Sequence, residues 1–179
     1  MTRSFDPLSG KAWRSLVLGA AILAGSAGAA LAGQASIVVD AGSGSVLMAR
    51  EATQLWYPAS TTKVMTIYLA LEAVERKATS LGDMVTASVR AASQRGSTLG
   101  LKAGQKISLR DAILALITRS GNDAAVAIAE HIAGTESAFA DRMTAKAREL
   151  GMRSTTFRNA SGLPATGAYT SAHDMAVLA

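Results

Sequence analysis

The chain contains no cysteine and only two histidines, and both scarcities narrow its chemistry. Without cysteine there is no disulfide framework, although an oxidising compartment permits disulfides without requiring them. His131 and His173 are far apart and have no thiol to join them, so no metal-ligand set is expected, and no other cofactor is implied. There is no Gly-x-Ser-x-Gly string, which removes the nucleophile elbow of triad hydrolases. His131, among Ile128, Ile132 and Ala133, reads as a partly buried structural histidine, and His173 with Asp174 reads as helix-start capping. Internal repeats are absent, and the basic residues are scattered without forming a stripe, so a nucleic-acid role has no support.

Long apolar runs are also scarce, and the one at the N-terminus is short. Lys11 and Arg14 precede an apolar stretch over residues 16–24, and a small-residue segment then ends in Ala30-Leu31-Ala32. That layout predicts a secretory signal peptide over residues 1–32 with cleavage after Ala32, because a run so short and glycine-interrupted spans a bilayer poorly. The formal charge is +5, of which the leader holds +2 through Arg3, Lys11 and Arg14 against Asp6. The remaining +3 over residues 33–179 is too small to argue an anionic partner. Hydrophobic residues make up 49% of the chain, enough for one globular domain with a sizeable core.

Residues 36–39 and 46–49 are extended runs around Ala41-Gly42-Ser43-Gly44, which predicts a hairpin. Pro58 breaks the chain before a helix that runs from about Ser60 to Lys77, and short strands and loops fill residues 78–107. Within these, residues 98–107 read as a turn between two short extended runs. Ser108 with Asp111 predicts a capped helix to Thr118, and a second helix runs from about Asp123 to Ala133 and stops at Gly134. Thr135 caps a third that stops at Gly151, and Thr170-Ser171 starts a last one. A strand pair followed mostly by helices indicates an α+β class.

Two short strings carry chemistry. Ser60-Thr61-Thr62-Lys63 sits at a helix root, where three-residue spacing puts both side chains on one face. A serine hydroxyl becomes a competent nucleophile when a neutral amine removes its proton. The helix dipole and burial both disfavour the ammonium there. The bland reading is an N-cap serine followed by a solvated lysine. Against it stand Val64, Met65, Ile67, Tyr68, Leu69, Leu71 and Val74, which leave little of that helix for water. Ser120-Gly121-Asn122 reads by itself as a turn between helices, one that would add a hydroxyl and a carboxamide to the same cleft.

Taken in order, these strings resemble the D-alanyl-D-alanine carboxypeptidases, the low-molecular-weight penicillin-binding proteins of the serine DD-peptidase family. The resemblance runs from about Gln34 to Ala179 and rests on several stretches. These are Ala35-Ser36-Ile37-Val38-Val39-Asp40, Tyr57-Pro58-Ala59 with the Ser60 tetrad, and Ser120-Gly121-Asn122-Asp123-Ala124-Ala125. Gly151-Met152, Thr155, Phe157, Asn159, Gly162-Leu163-Pro164 and Ser171-Ala172-His173-Asp174-Met175 extend it. It implies a DD-peptidase/β-lactamase-like fold, a helical cluster against an antiparallel sheet. It also implies roles: Ser60 as nucleophile, Lys63 as its base, Ser120 as proton relay and Asn122 as the group holding the peptide amide. The Ser60 N–H would be one oxyanion donor. The implied partners are a peptidoglycan stem peptide and β-lactam inhibitors. The location would be the periplasm or the outer face of the cytoplasmic membrane, with association through a C-terminal anchor outside these residues.

The family's third motif, Lys-Thr-Gly or Lys-Ser-Gly, is not found after Asn122. Lys102-Ala103-Gly104 precedes the Ser120 triplet and reads as surface charge. The sequence therefore reads as a C-terminally truncated chain whose remaining sheet strands lie elsewhere, with residues 33–179 a partial catalytic domain that is inactive by itself. Two alternatives stay open. A class A-like β-lactamase shares the first motif, but no Glu-x-x-Leu-Asn follows Asn122. A catalytically dead peptidoglycan-binding protein would share the fold, and intact Ser60, Lys63, Ser120 and Asn122 oppose it.

Overall fold

Alternation of small and apolar residues around an Asp-led turn makes residues 36–50 a hairpin. Strand β1 (Ser36–Val39) pairs antiparallel with β2 (Val46–Arg50), with an irregularity between Val38 and Val39. Asp40 organises the turn, its Oδ1 accepting from the Ser43 N–H and Oγ at 2.7 Å each. The computed structural model describes residues 35–179, so the leader expected over residues 1–32 lies outside the described residues. Every residue of β2 is exposed, Leu47 to 67%, so the hairpin offers a strand with two uncovered faces.

Pro58 ends the extended segment, and a 3-10 turn (Ala59–Thr61) leads into α1 (Thr62–Glu75). Strands β3 (Met84–Thr86) and β4 (Lys106–Ser108) form a second antiparallel pair, with the single-turn helix α2 (Val89–Ala92) between them in sequence. Helices α3 (Leu109–Arg119), α4 (Asn122–Ala133), α5 (Glu136–Glu149) and α6 (Ala172–Leu178) follow. Their ends are set by the residues the sequence marks. Ser108, Thr135 and Ser171 each accept the N–H three residues on, satisfying an amide that the helix leaves unpaired. Gly134 and Gly151, at φ 78° and 88°, stop α4 and α5.

Helix α4 is the centre. Residues 122–129 are buried all round, six of them small or apolar in the run Ala124-Ala125-Val126-Ala127-Ile128-Ala129, and α1, α2, α3 and α5 all pack on it. A helix apolar on every side is a core helix. Met65 and Leu69 of α1, Leu109 and Leu116 of α3, Phe139 and Met143 of α5, and Met152 and Phe157 close the core around it. Helix α6 packs against β1, and two isolated bridges, Trp56 with Thr170 and Thr156 with Tyr169, tie the segments before the Ser60 turn and before α6 together.

Three expectations need correcting. Residues 98–101 form no strand, because the Asp123 carboxylate supplies the acceptors a neighbouring strand would have given. It takes the Leu99 and Leu101 N–H groups at 3.0 Å. His131 is exposed and not half-buried; its Nε2 meets Thr79 Oγ1 at 2.9 Å at the surface. Helix α1 is less enclosed than its composition suggests, since Val64, Tyr68 and Leu71 form an exposed apolar stripe at helical spacing.

Candidate active site

Ser60 lies in the middle of the 3-10 turn and is exposed, and no side chain of that turn caps a helix end. The N-cap reading of Ser60 is thereby excluded. Ala59, just before it, has φ +46°, a left-handed conformation that costs a residue with a Cβ on the order of 1 kcal/mol. The carbonyl of Ala59 meets Gly162. A Cβ at position 162 would lie 1.7 Å from Ala59 O, and Gly162 itself has φ +81°. Only glycine meets both conditions.

One turn on, Lys63 is 4% exposed. Its Nζ donates to the Ser161 carbonyl at 2.6 Å, and burial holds its pKa below the ordinary lysine value. The segment that reaches it is a turn folded on itself. Asn159 Oδ1 accepts the Gly162 N–H at 2.7 Å, and its Nδ2 donates to Leu163 O at 2.8 Å. Thr66 Oγ1, one turn further along α1, donates to Ala160 O at 2.8 Å. The root of α1 is thus clamped by residues 159–163 through two carbonyls and one close glycine contact.

Ser120 ends α3 in a left-handed conformation, φ 53° and ψ 38°, and is half-buried. Gly121 is extended and Asn122 begins α4, so the triplet is the sharp corner between two packed helices. Asn122 is buried, with its N–H on Ser97 O at 2.8 Å and its Nδ2 on Arg95 O at 2.6 Å. Asp123 anchors the same loop from beneath through the Leu99 and Leu101 amides.

Ser60 and Lys63 therefore share one turn, and α1 packs on both helices that meet at Ser120-Gly121-Asn122. The Lys63 amine points to the Ser161 carbonyl and the Asn122 carboxamide to the Arg95 carbonyl. Lys102 is exposed on a turn, as its surface reading requires. His173 is exposed, and its backbone N–H donates to Ala52 O. Asp174 is buried as a staple, its Oδ2 accepting Ser154 N–H and Thr155 Oγ1 at 2.7 Å each. The contributions of Ser161 and Arg95 are invisible in the sequence because they are backbone carbonyls. Gly162 carried a signal, a glycine three residues after Asn159 in an Asn-led turn.

A surface serine stands one turn before a buried lysine of lowered pKa, on an α+β frame of helices and small antiparallel sheets, the arrangement that the family resemblance implies. Comparison with known proteins agrees. Residues 23–179 match the D-alanyl-D-alanine carboxypeptidase family, peptidase S11. The chain is similar to the D-alanyl-D-alanine carboxypeptidase DacF of Bacillus subtilis, 38% identical over 146 residues, covering 82% of this chain and 38% of that protein. Its structure is similar to that of the carboxypeptidase DacD of Francisella tularensis, with a TM-score of 0.78 and 40% identity over 80% of this chain and 35% of that one. It also resembles penicillin-binding protein D2 of Listeria monocytogenes in its ampicillin-bound form, with a TM-score of 0.67 and 31% identity over 80% of this chain and 58% of that one. The chain belongs to the D-alanyl-D-alanine carboxypeptidase family. It spans about 38% of the length of the Bacillus relative.

Proposed function

We propose that the full-length protein carrying these residues is a serine-type D-Ala-D-Ala carboxypeptidase that removes the terminal D-alanine from peptidoglycan stem peptides. The observation that carries this reading is Lys63, a buried amine with a lowered pKa, held by a neutral carbonyl one turn beyond an exposed serine. Ser60 Oγ attacks the carbonyl carbon between the two D-alanines, and its proton passes to Lys63 Nζ. The tetrahedral intermediate collapses as the C–N bond breaks. Ser120 relays the proton to the departing amine, and D-alanine leaves. Water then attacks the Ser60 ester, its proton passing through Lys63 and Ser120 back to Ser60 Oγ. Asn122 holds the peptide amide, and the Ser60 N–H is one oxyanion donor, a type of contact typically worth about 3 kcal/mol of barrier.

β-Lactams, which mimic the scissile amide, would acylate the same serine. The protein would be exported, with its leader cleaved after Ala32, to the periplasm or the outer face of the cytoplasmic membrane, associating with that membrane through an anchor outside these residues. The 179-residue chain by itself would lack activity, since a Lys-Thr-Gly or Lys-Ser-Gly strand is needed for the substrate carboxylate and no such string follows Asn122. Intact-mass spectrometry of full-length protein after benzylpenicillin, with peptide mapping, tests the reading. A single penicilloyl adduct on Ser60 is expected; an adduct elsewhere, or none, overturns it.

A further inference from the structure

The turn that touches Lys63 is fixed on its other side by a carboxylate that the mechanism above does not use. Glu136, the first residue of α5, is 4% exposed. A carboxylate so buried is costly unless it is paired and hydrogen-bonded. Its Oε2 accepts both Nε and Nη2 of Arg90, at 2.7 and 2.5 Å. Its Oε1 faces the other way and accepts the Ala160 N–H at 3.1 Å. The Ala160 carbonyl takes Thr66 Oγ1 and the next carbonyl, of Ser161, takes Lys63 Nζ. Ala160 is therefore pinned at its nitrogen by α5 and at its oxygen by α1, and the peptide that follows carries the acceptor for the amine.

We infer that Glu136 is a positioning residue for Lys63: by holding Ala160 it fixes where the Ser161 carbonyl stands, and so which way the lysine lone pair points. The inference rests on the reading of Lys63 as base. A neutral amine that gives one N–H to Ser161 has its lone pair confined to the remaining directions, and Ser60 lies three residues earlier, in the 3-10 turn that leads into α1. Freeing the Ala160 nitrogen lets the 160–161 peptide pivot about the Thr66 contact. A misplacement of about 1 Å at a reacting group costs up to about 100-fold in rate. A carboxylate that only supported the fold would lower the melting temperature and leave acylation by folded molecules unchanged.

The test uses full-length protein and stopped-flow acylation by benzylpenicillin, resolved into the dissociation constant of the first complex and the acylation rate constant. Glu136→Ala should lower the rate constant about 10- to 100-fold and leave the dissociation constant unchanged. Glu136→Gln keeps an oxygen for the Ala160 N–H and should restore the rate constant to near wild type. An unchanged rate constant in folded Glu136→Ala overturns the inference. So does a Glu136→Gln variant as slow as Glu136→Ala, which would assign the effect to the Arg90 ion pair. Where Glu136→Ala does not fold, Glu136→Asp carries the test, since it keeps the charge and draws the oxygen back from Ala160. A slower rate constant with unchanged binding supports the inference, and a wild-type rate constant overturns it. Lys63→Arg run in parallel separates the two readings. If it keeps the wild-type rate, the base assignment has failed; if it is slow while the Glu136 variants are not, only the positioning role has.

Discussion

Gly162→Ala should cripple acylation without touching any residue that handles a proton. The added Cβ would sit 1.7 Å from Ala59 O, 2.4 Å from Ala59 C and 2.9 Å from Thr62 Oγ1. Non-bonded carbon and oxygen atoms rarely approach within about 3 Å, so the two backbones must part by roughly 1.3 Å, and both clashing Ala59 atoms belong to the peptide linked to Ser60. The new side chain must also keep φ near +81°, which costs about 1 kcal/mol more. Relief by shifting residues 159–163 would carry the Ser161 carbonyl away from Lys63; relief by shifting Ala59 would move the nucleophile. Either displacement is about the 1 Å that costs near 100-fold. Labelled penicillin, quantified as a second-order acylation rate on full-length protein, reads this loss, and a thermal melt separates it from unfolding. A folded variant acylated within threefold of wild type would show that the contact between residues 59 and 162 does not position the site.

Other outcomes follow from the same geometry. Lys63→Arg should lower acylation about 100- to 10,000-fold, the usual worth of a general base, because guanidinium does not give up its proton near neutral pH. In the wild type the acylation rate should rise with pH and level off below lysine's ordinary titration range, since burial lowers the Lys63 pKa and the neutral amine is the active form; a flat profile in stopped-flow would refute the base assignment. Ser60→Ala should abolish labelling and change stability, read from a thermal melt, by no more than about 0.5 kcal/mol, because Ser60 caps no helix end. Asn122→Ala should release Arg95 O and slow acylation by peptide while the fold persists by circular dichroism. Residues 33–179 expressed alone should aggregate or melt without cooperativity and take up little penicillin, since β2 is exposed throughout and α1 carries the Val64, Tyr68 and Leu71 stripe; a soluble, cooperatively melting chain labelled at Ser60 would refute this.

What the sequence made legible is what local chemistry determines. The hairpin follows from its turn residues. The starts at Ser108, Thr135 and Ser171 and the stops at Gly134 and Gly151 follow from single side chains or from their absence. Ser60 and Lys63 were expected at a helix root, and Ser120 and Asn122 at a corner between helices, and they stand at those places. What stayed hidden is non-local. Lys63 is partnered by a carbonyl 98 residues away, and every residue type has the same carbonyl. Asp123 and Glu136 look like ordinary acids in the first turn of a helix, favourable to the dipole. Each instead reaches across to an amide more than 20 residues away, Asp123 removing a strand the local pattern suggested and Glu136 holding Ala160. His131 misled because apolar neighbours in sequence say little about which way one position on a helix faces.

Two lysines, Lys63 and the half-buried Lys146, show why the partner at Lys63 is a carbonyl. Lys146 stands between Glu149 and Glu72, at 2.5 and 2.8 Å, and hydrogen bonds to those carboxylates push its pKa up. That arrangement keeps an ammonium charged and ties α5 to α1, useful for packing and useless for taking a proton. Lys63 donates over a similar distance, 2.6 Å, to an uncharged acceptor, and burial then prevails and moves its pKa down. A carboxylate in place of the Ser161 carbonyl would fix the amine equally well and, at an effective dielectric of about 20, would favour the ammonium by roughly 4 kcal/mol at 4 Å. That would raise the pKa, the wrong direction for a base. A backbone carbonyl orients the nitrogen without paying it to stay charged. This also accounts for the indirect placing of Glu136, whose negative charge is paired with Arg90 and which connects to the lysine through the backbone of Ala160 and Ser161.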